Sequence, residues 1–217
     1  MSLRPTGMDV VVVGYWNRAI LTPAGIGKRL FEVPEGTPLV VEVPMDGLAP
    51  YRVRSQQRDK LIVMVQAPML RVEVADFDYE SLQYAMTIAV RALTSLPETP
   101  VSAAGININF NESLPQLHIN KFLASELDNS LSDASFVITE RRLVRAMPFG
   151  QGTLNLTVAT NKNNEHEILF NFDRQAQLHS ELISWLQTPA KELRELVEKI
   201  LYTTLRLEKG DSNATDG

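Results

Sequence analysis

The stretch Gly105-Ile106-Asn107-Ile108-Asn109-Phe110-Asn111 alternates apolar residues with carboxamides. A period of two puts Ile106, Ile108 and Phe110 on one face of a strand and the three asparagines on the other. Asparagine is depleted in strands, so three in alternation call for a reason. One is a solvated sheet face. The other is a polar groove whose amides hydrogen-bond a ligand or a partner's backbone.

Working outward, this stretch has a counterpart in the first half. There Val10–Val13 runs into Gly14-Tyr15-Trp16-Asn17, and Pro23 and Lys28-Arg29-Leu30-Phe31 follow. After the asparagine stretch come Pro115 and Lys121-Phe122-Leu123. Asn17 and Asn111 lie 94 residues apart, and Asp78 and Asp173 lie 95 apart. A repeat at this spacing implies duplicated half-domains. The boundaries read as a leader over 1–7, a half-domain over 8–97, a second over 101–208, and a disordered tail over 209–217. Pro97-Glu98-Thr99-Pro100 is the short, stiff joint.

In the first half, strands are expected over Asp9–Tyr15, Leu39–Val43, Tyr51–Ser55, Lys60–Gln66 and Leu70–Ala75. Thr22-Pro23 starts a short helix to about Phe31, and Asp46-Gly47 makes a turn. Asp78 caps a helix over Tyr79–Leu96 with Leu82, Met86, Ala89, Val90 and Leu93 as its apolar stripe. The second half predicts a strand over Ser102–Phe110 and a helix over Leu117–Leu127. Strands over Ser135–Ala146, Thr153–Thr160 and Glu167–Phe172 follow. Turns at Pro148–Gly152 and Asn161–Asn164 separate these last three. The final helical region, Gln177–Leu207, bends at Thr188-Pro189. Each half reads as strand, helix, three or four antiparallel strands, helix. That order gives an α+β fold with a curved antiparallel sheet and helices on one face. It resembles the duplicated saddle of TATA-box-binding-protein-like folds in element order alone. The resemblance implies a concave sheet face and carries no function with it.

The 217 residues are 44% apolar and 22% charged, with no cysteine, a net charge of −5 and a pI near 5.3. Missing cysteines exclude disulfides, thiolate nucleophiles and cysteine-held zinc, and fit a cytoplasmic location. No run is long enough to cross a membrane as a helix, so no membrane partner is expected. An acidic chain argues against a general polyanion binder but allows a local basic face. The Asn-x-Ser/Thr matches at Asn111, Asn155 and Asn213 carry no glycan in a cytosolic chain.

Catalytic templates find little to match. His118, His166 and His179 lack metal spacing, and no Gly-x-Ser-x-Gly elbow occurs. Gly25-Ile26-Gly27-Lys28-Arg29 differs from a phosphate loop at both ends. Thr22 stands in place of its first glycine and Arg29 in place of its hydroxyl residue. It is either a tight helix packed on the sheet or a weak anion site formed by Gly25, Gly27, Lys28 and Arg29. Asp76 and Asp78 flank Phe77, and the simplest role for Asp78 is helix capping, a role its counterpart Asp173 shares.

Strand arginines are more suggestive. Arg52 and Arg54 share one face, Arg71 lies in another strand, and Arg141, Arg142 and Arg145 lie in a third. They either pair with Glu42, Glu73 and Glu140 or form a basic surface for phosphates or an acidic partner. Tyr15, Trp16 and Tyr51 offer stacking surface for single-stranded nucleic acid. The wide apolar stripe of the last helix serves either the core or a homodimer contact. The expected function is a non-enzymatic module without a cofactor. It recognises a protein partner, or another copy of itself, through an open sheet face bearing Arg52, Arg54, Asn107, Asn109, Arg141 and Arg142. The alternatives are a nucleic-acid binder using the arginines, or a small-molecule carrier or enzyme with a pocket between the halves.

Overall fold

The computed structural model describes residues 3–45, 50–55, 58–112, 117–161 and 165–207. The Asp46-Gly47 turn, the tail from 209, Asn213, residues 162–164 and the side chain of His118 lie outside the described residues. So do the first two residues of the leader.

Strand β1 (Gly7–Gly14) owes its extended form to four consecutive valines, whose branched Cβ atoms suit a pleated surface. Val10 and Val12 are fully buried, while Asp9, Val11 and Val13 point to the opposite face. β1 is flanked by β5 (Met69–Val74) and β6 (Val101–Glu112), both antiparallel. Outward from β5 lie β4 (Arg58–Gln66), β3 (Arg52–Ser55) and β2 (Leu39–Glu42). Outward from β6 lie β9 (His166–Gln175), β8 (Gly152–Asn161) and β7 (Glu140–Phe149). The result is one nine-stranded antiparallel sheet in the order β2-β3-β4-β5-β1-β6-β9-β8-β7. The leader does not stop short of it: the Thr6 amide donates to the Asn109 carbonyl, and Gly7 pairs with Asn109.

The helices cover one face. Thr22 starts α1 (Pro23–Ile26), its hydroxyl accepting the Gly25 amide at 3.2 Å, and the helix runs on as a π-turn through Gly27–Phe31. α2 (Tyr79–Ser95) packs on β1 and β5 through Leu82, Ala85, Met86, Ala89 and Leu93, which recur at helical spacing. Asp78 caps it, accepting from the Ser81 amide at 2.7 Å and the Ser81 hydroxyl at 2.9 Å. Burial works against the Asp78 carboxylate. The bonds from Ser81 and the charge of Lys60 outweigh it and hold the carboxyl below its ordinary range. Asp78→Ala is therefore expected to cost about 1 kcal/mol at neutral pH. A lowered folded-state pKa means this contribution is complete above the ordinary aspartate range and is lost as the pH falls through the folded value. Chemical denaturation of both proteins at neutral and acid pH checks it, since the gap should close in acid.

In the second half, α3 (Leu117–Leu123) and α4 (Glu126–Asp133) replace the single helix expected over Leu117–Leu127. The strand expected from Ser135 begins only at Glu140. Ser135 takes a left-handed φ of 65°, and β8 ends at Asn161, the partner of Glu140. Phe136 and Val137, which precede β7, are exposed despite their β propensity. α5 (His179–Leu186) and α6 (Ala190–Glu198), continued as a π-turn over Lys199–Thr204, meet at the expected Pro189 break. Phe149, Phe172 and Trp185 pack edge to face, with centroids 5.0 and 5.6 Å apart, and tie the β7–β8 hairpin to α5. His179 reaches from the start of α5 to two backbone carbonyls, Leu93 at 3.1 Å and Thr99 at 2.7 Å. Both acceptors are carbonyls, so both contacts are hydrogen bonds only when the ring carries two protons.

One expected role changes. Asp173 lies inside β9, six positions before α5, and the cap position there is Leu178. It therefore does not repeat the role of Asp78. Most of the last helix's stripe packs into the core: Leu193, Val197, Ile200, Leu201 and Leu205 are buried and Leu196 is half-buried.

Candidate functional site

The sheet face opposite the helices is open, and its polar side chains form one line from β2 to β8, with members on seven of those eight strands. Strand register explains the line. Antiparallel pairing sets Glu73 opposite Asp9, Asp9 opposite Asn107, Asn107 opposite Asn171, and Asn171 opposite Asn155. Directly opposed residues lie within side-chain reach. At the centre is Asp9, only 6% exposed. Its carboxylate accepts from the Arg71 guanidinium at 3.0 Å on one side and from the Asn107 amide at 2.8 Å on the other.

That carboxylate dictates the rest. It can only accept, so Asn107 must turn its NH2 toward it and its oxygen toward Asn171. Asn171 then donates to Asn107 at 2.8 Å, and Asn155 donates to Asn171 at 3.0 Å. Three amides align head to tail and end on a charge, an arrangement in which each bond strengthens the next. On the other side the line continues through charges. Arg71 lies 3.9 Å from Glu73, and Glu73 accepts from Arg52 at 2.7 Å. Glu42 then holds both Arg52 at 3.2 Å and Arg54 at 3.3 Å. Three arginines thus meet three carboxylates, and the line is electrically neutral.

Of the residues expected on this face, Arg52, Arg54, Asn107 and Asn109 are all there, and the first three share the line. Asn109 sits beside it, opposite Leu169 and Gly7, with its side-chain oxygen buried and unpartnered among the described residues. Arg142 lies on the same face at the far edge, where Glu140 holds it at 3.1 Å. Arg141 faces the helix side and pairs with Asp128 of α4 at 2.5 Å. Neighbours along a strand point to opposite faces, so Arg141 and Arg142 cannot act together. Trp16 is buried and donates to the Val12 carbonyl at 3.0 Å, so it offers no stacking surface. His166 lies within β9 rather than in a turn, buried against the Thr160 hydroxyl at 2.6 Å.

Asp9, Asn155 and Asn171 are members of the line that reading by strand alone misses. Asn171 had a signal: Phe170-Asn171-Phe172 repeats the apolar-amide-apolar pattern of Ile106-Asn107-Ile108. Asp173, two residues on, also faces the open side, opposite Gly105 and Thr153. Burial raises its carboxyl above the ordinary range, partly offset by a bond from Gln175. A raised folded-state pKa means the folded protein binds this proton more tightly, so stability falls as pH rises from the ordinary aspartate range through the raised value. Asp173→Asn should remove that slope. Thermal melts of both proteins from mildly acid to neutral pH check it, with the variant gaining most at neutral pH.

Near α1, the glycines play packing roles. The Gly25 amide is taken by Thr22, and a side chain at Gly25 would strike the Ile20 carbonyl. Gly27 and Lys28 line a cleft of about 550 Å³ with Ala24, Val33, Pro34 and Leu39, while Arg29 is exposed beside it. The cleft belongs to the first half and does not lie between the halves. Among the described residues no group of three or more His, Asp or Glu is placed to hold a metal ion, and no helix is long and apolar enough to cross a membrane. No protein-family model matches the chain, and no curated protein matches it in sequence.

Proposed function

We propose that this protein is a non-enzymatic binding and assembly module, acting in the cytoplasm, that recognises a protein partner or another copy of itself through the open sheet face. The observation that carries this reading is the charge balance of the polar line on that face. Binding to a nucleic acid draws on cations that displace condensed counterions from phosphates. Here Arg52, Arg54 and Arg71 already hold Glu42, Glu73 and Asp9. A polypeptide needs no such surplus. It needs fixed donors and acceptors beside apolar area, and Val11, Val13, Met69 and Leu169 border the line on partly exposed positions.

Duplication of the half-domains is part of the proposal, and the sheet order favours it. Outward from the β1–β6 seam the strands run β1-β5-β4-β3 on one side and β6-β9-β8-β7 on the other. Each half thus places its first strand at the seam and the next three in reverse chain order. The saddle-like element order follows from the same reading.

Titration with single- and double-stranded nucleic acid at low salt separates this reading from the nucleic-acid alternative. No saturable binding is expected, and the Arg52→Ala, Arg54→Ala double variant should behave as the parent does. Tight binding that falls steeply with salt and is lost in that variant would overturn the proposal. The cleft beside Lys28 favours a second reading, a small-molecule carrier, because its volume suits a small organic ligand. A thermal-shift screen of small anions on the parent and on Lys28→Ala tests it, with a stabilisation confined to the parent as the supporting result.

A further inference from the structure

The two ends of the sheet differ. At one end β2 is only four residues long and is bracketed by Pro38 and Pro44, which cannot extend a ladder. At the other end β7 is ten residues long, pairs with β8 in unbroken register, and interrupts its own edge only at Pro148 near its end. Among the described residues, no further strand pairs with its outer side. Exposed apolar groups gather beside it: Phe122, Leu127, Phe136, Val137 and, on β7 itself, Val144 at 51% exposure. A long, regular edge with apolar flanks is a template for another strand.

We propose that β7 pairs with β7 of a second copy, antiparallel about a two-fold axis at Val144, to give a homodimer with one continuous sheet. Symmetry limits the register. An axis perpendicular to the sheet must pass through a residue opposed to itself, because directly opposed side chains lie on the same face. Centres at Arg142 or Arg145 oppose an arginine to its own copy, and a centre at Leu143 opposes Arg141 to Arg145. A centre at Val144 avoids all of these and pairs the whole stretch Glu140–Pro148. It sets Arg142 against Ala146, Arg141 against Met147 and Leu143 against Arg145. Arg145, which holds no carboxylate among the described residues and instead donates to the Val144 carbonyl at 2.9 Å, directly opposes Leu143, with Arg141 and Arg145 of the second copy on the diagonals. Pairing β7 with β2 of another copy would not close and would build filaments.

The pairing leaves both open faces on the same side and does not depend on what those faces bind, so its failure would leave the proposed function standing. The cysteine-free chain allows a direct test. In Val144→Cys the two introduced thiols meet at the axis, where opposed Cα atoms stand about 4.5–5.5 Å apart, within disulfide reach. Mild oxidation should convert this variant to a covalent dimer, while Val40→Cys on the opposite edge should stay monomeric. Sedimentation of the parent should show a reversible dimer, and Val144→Arg should weaken it at least tenfold with unchanged circular dichroism. The proposal is overturned if Val144→Cys crosslinks no faster than Val40→Cys, or if the parent sediments as a monomer at its highest soluble concentration.

Discussion

Asp9→Ala is expected to lower the unfolding free energy by about 3 kcal/mol. Asp9 is the one carboxylate at the middle of the polar line, and it accepts from both sides. Its removal leaves the Arg71 guanidinium and the Asn107 amide without their acceptor on a largely desolvated face. Arg71 is itself partly exposed, which places the cost at the lower end of the range for breaking a buried pair. Asp9→Asn should cost less, because one carboxamide oxygen can serve one of the two donors, while its NH2 then opposes the other. Urea unfolding of both variants checks the order. A double-mutant cycle should give less than additive losses for Asp9→Ala combined with Arg71→Ala. Additive losses would show that the line is a row of independent surface contacts.

Gly25→Ala should cost about 3 kcal/mol or more. A Cβ built there lies 2.0 Å from the Ile20 carbonyl oxygen, so the backbone has to move. It cannot move cheaply, because the turn is pinned on both sides. Leu21 and Ile26 are fully buried, and the Ile20 and Leu21 amides both bond to the Asn17 carbonyl. Gly36→Ala is the control. Gly36 has a φ of +84° with open space around it, so its cost is that of the left-handed backbone alone, about 1 kcal/mol. Equal melting points for the two variants would contradict the close-approach argument.

The contrast between these sites shows how much was legible in the chain. The valine run of β1, the Thr22-Pro23 start and the Asp78 cap are local signals, and local chemistry decides them. The late start of β7 is different. Phe136, Val137 and Ile138 carry strand propensity, yet Ser135 before them takes a left-handed φ of 65°, and the described pairing with β8 begins only at Glu140. The same limit applies to the candidate site. Alternation places Arg52, Arg54, Asn107 and Asn109 on one face with no structure at hand. It cannot say that Asp9 lies opposite Asn107, because β1 and β6 are neighbours through pairing distant in sequence. The partners of the arginines were legible as candidates, and only register decides that Glu73 and Glu42 take Arg52 while Asp9 takes Arg71.

The central claim is that the open face recognises polypeptide. The most direct measurement places a photo-crosslinking side chain at Thr157, half-buried on that face, and at Thr94, exposed on the helix side. Each variant is irradiated in an extract of the cells that make the protein. A discrete protein adduct formed from Thr157 and absent from Thr94 is the predicted result. Adducts to nucleic acid, or equal protein adducts from both positions, would contradict it.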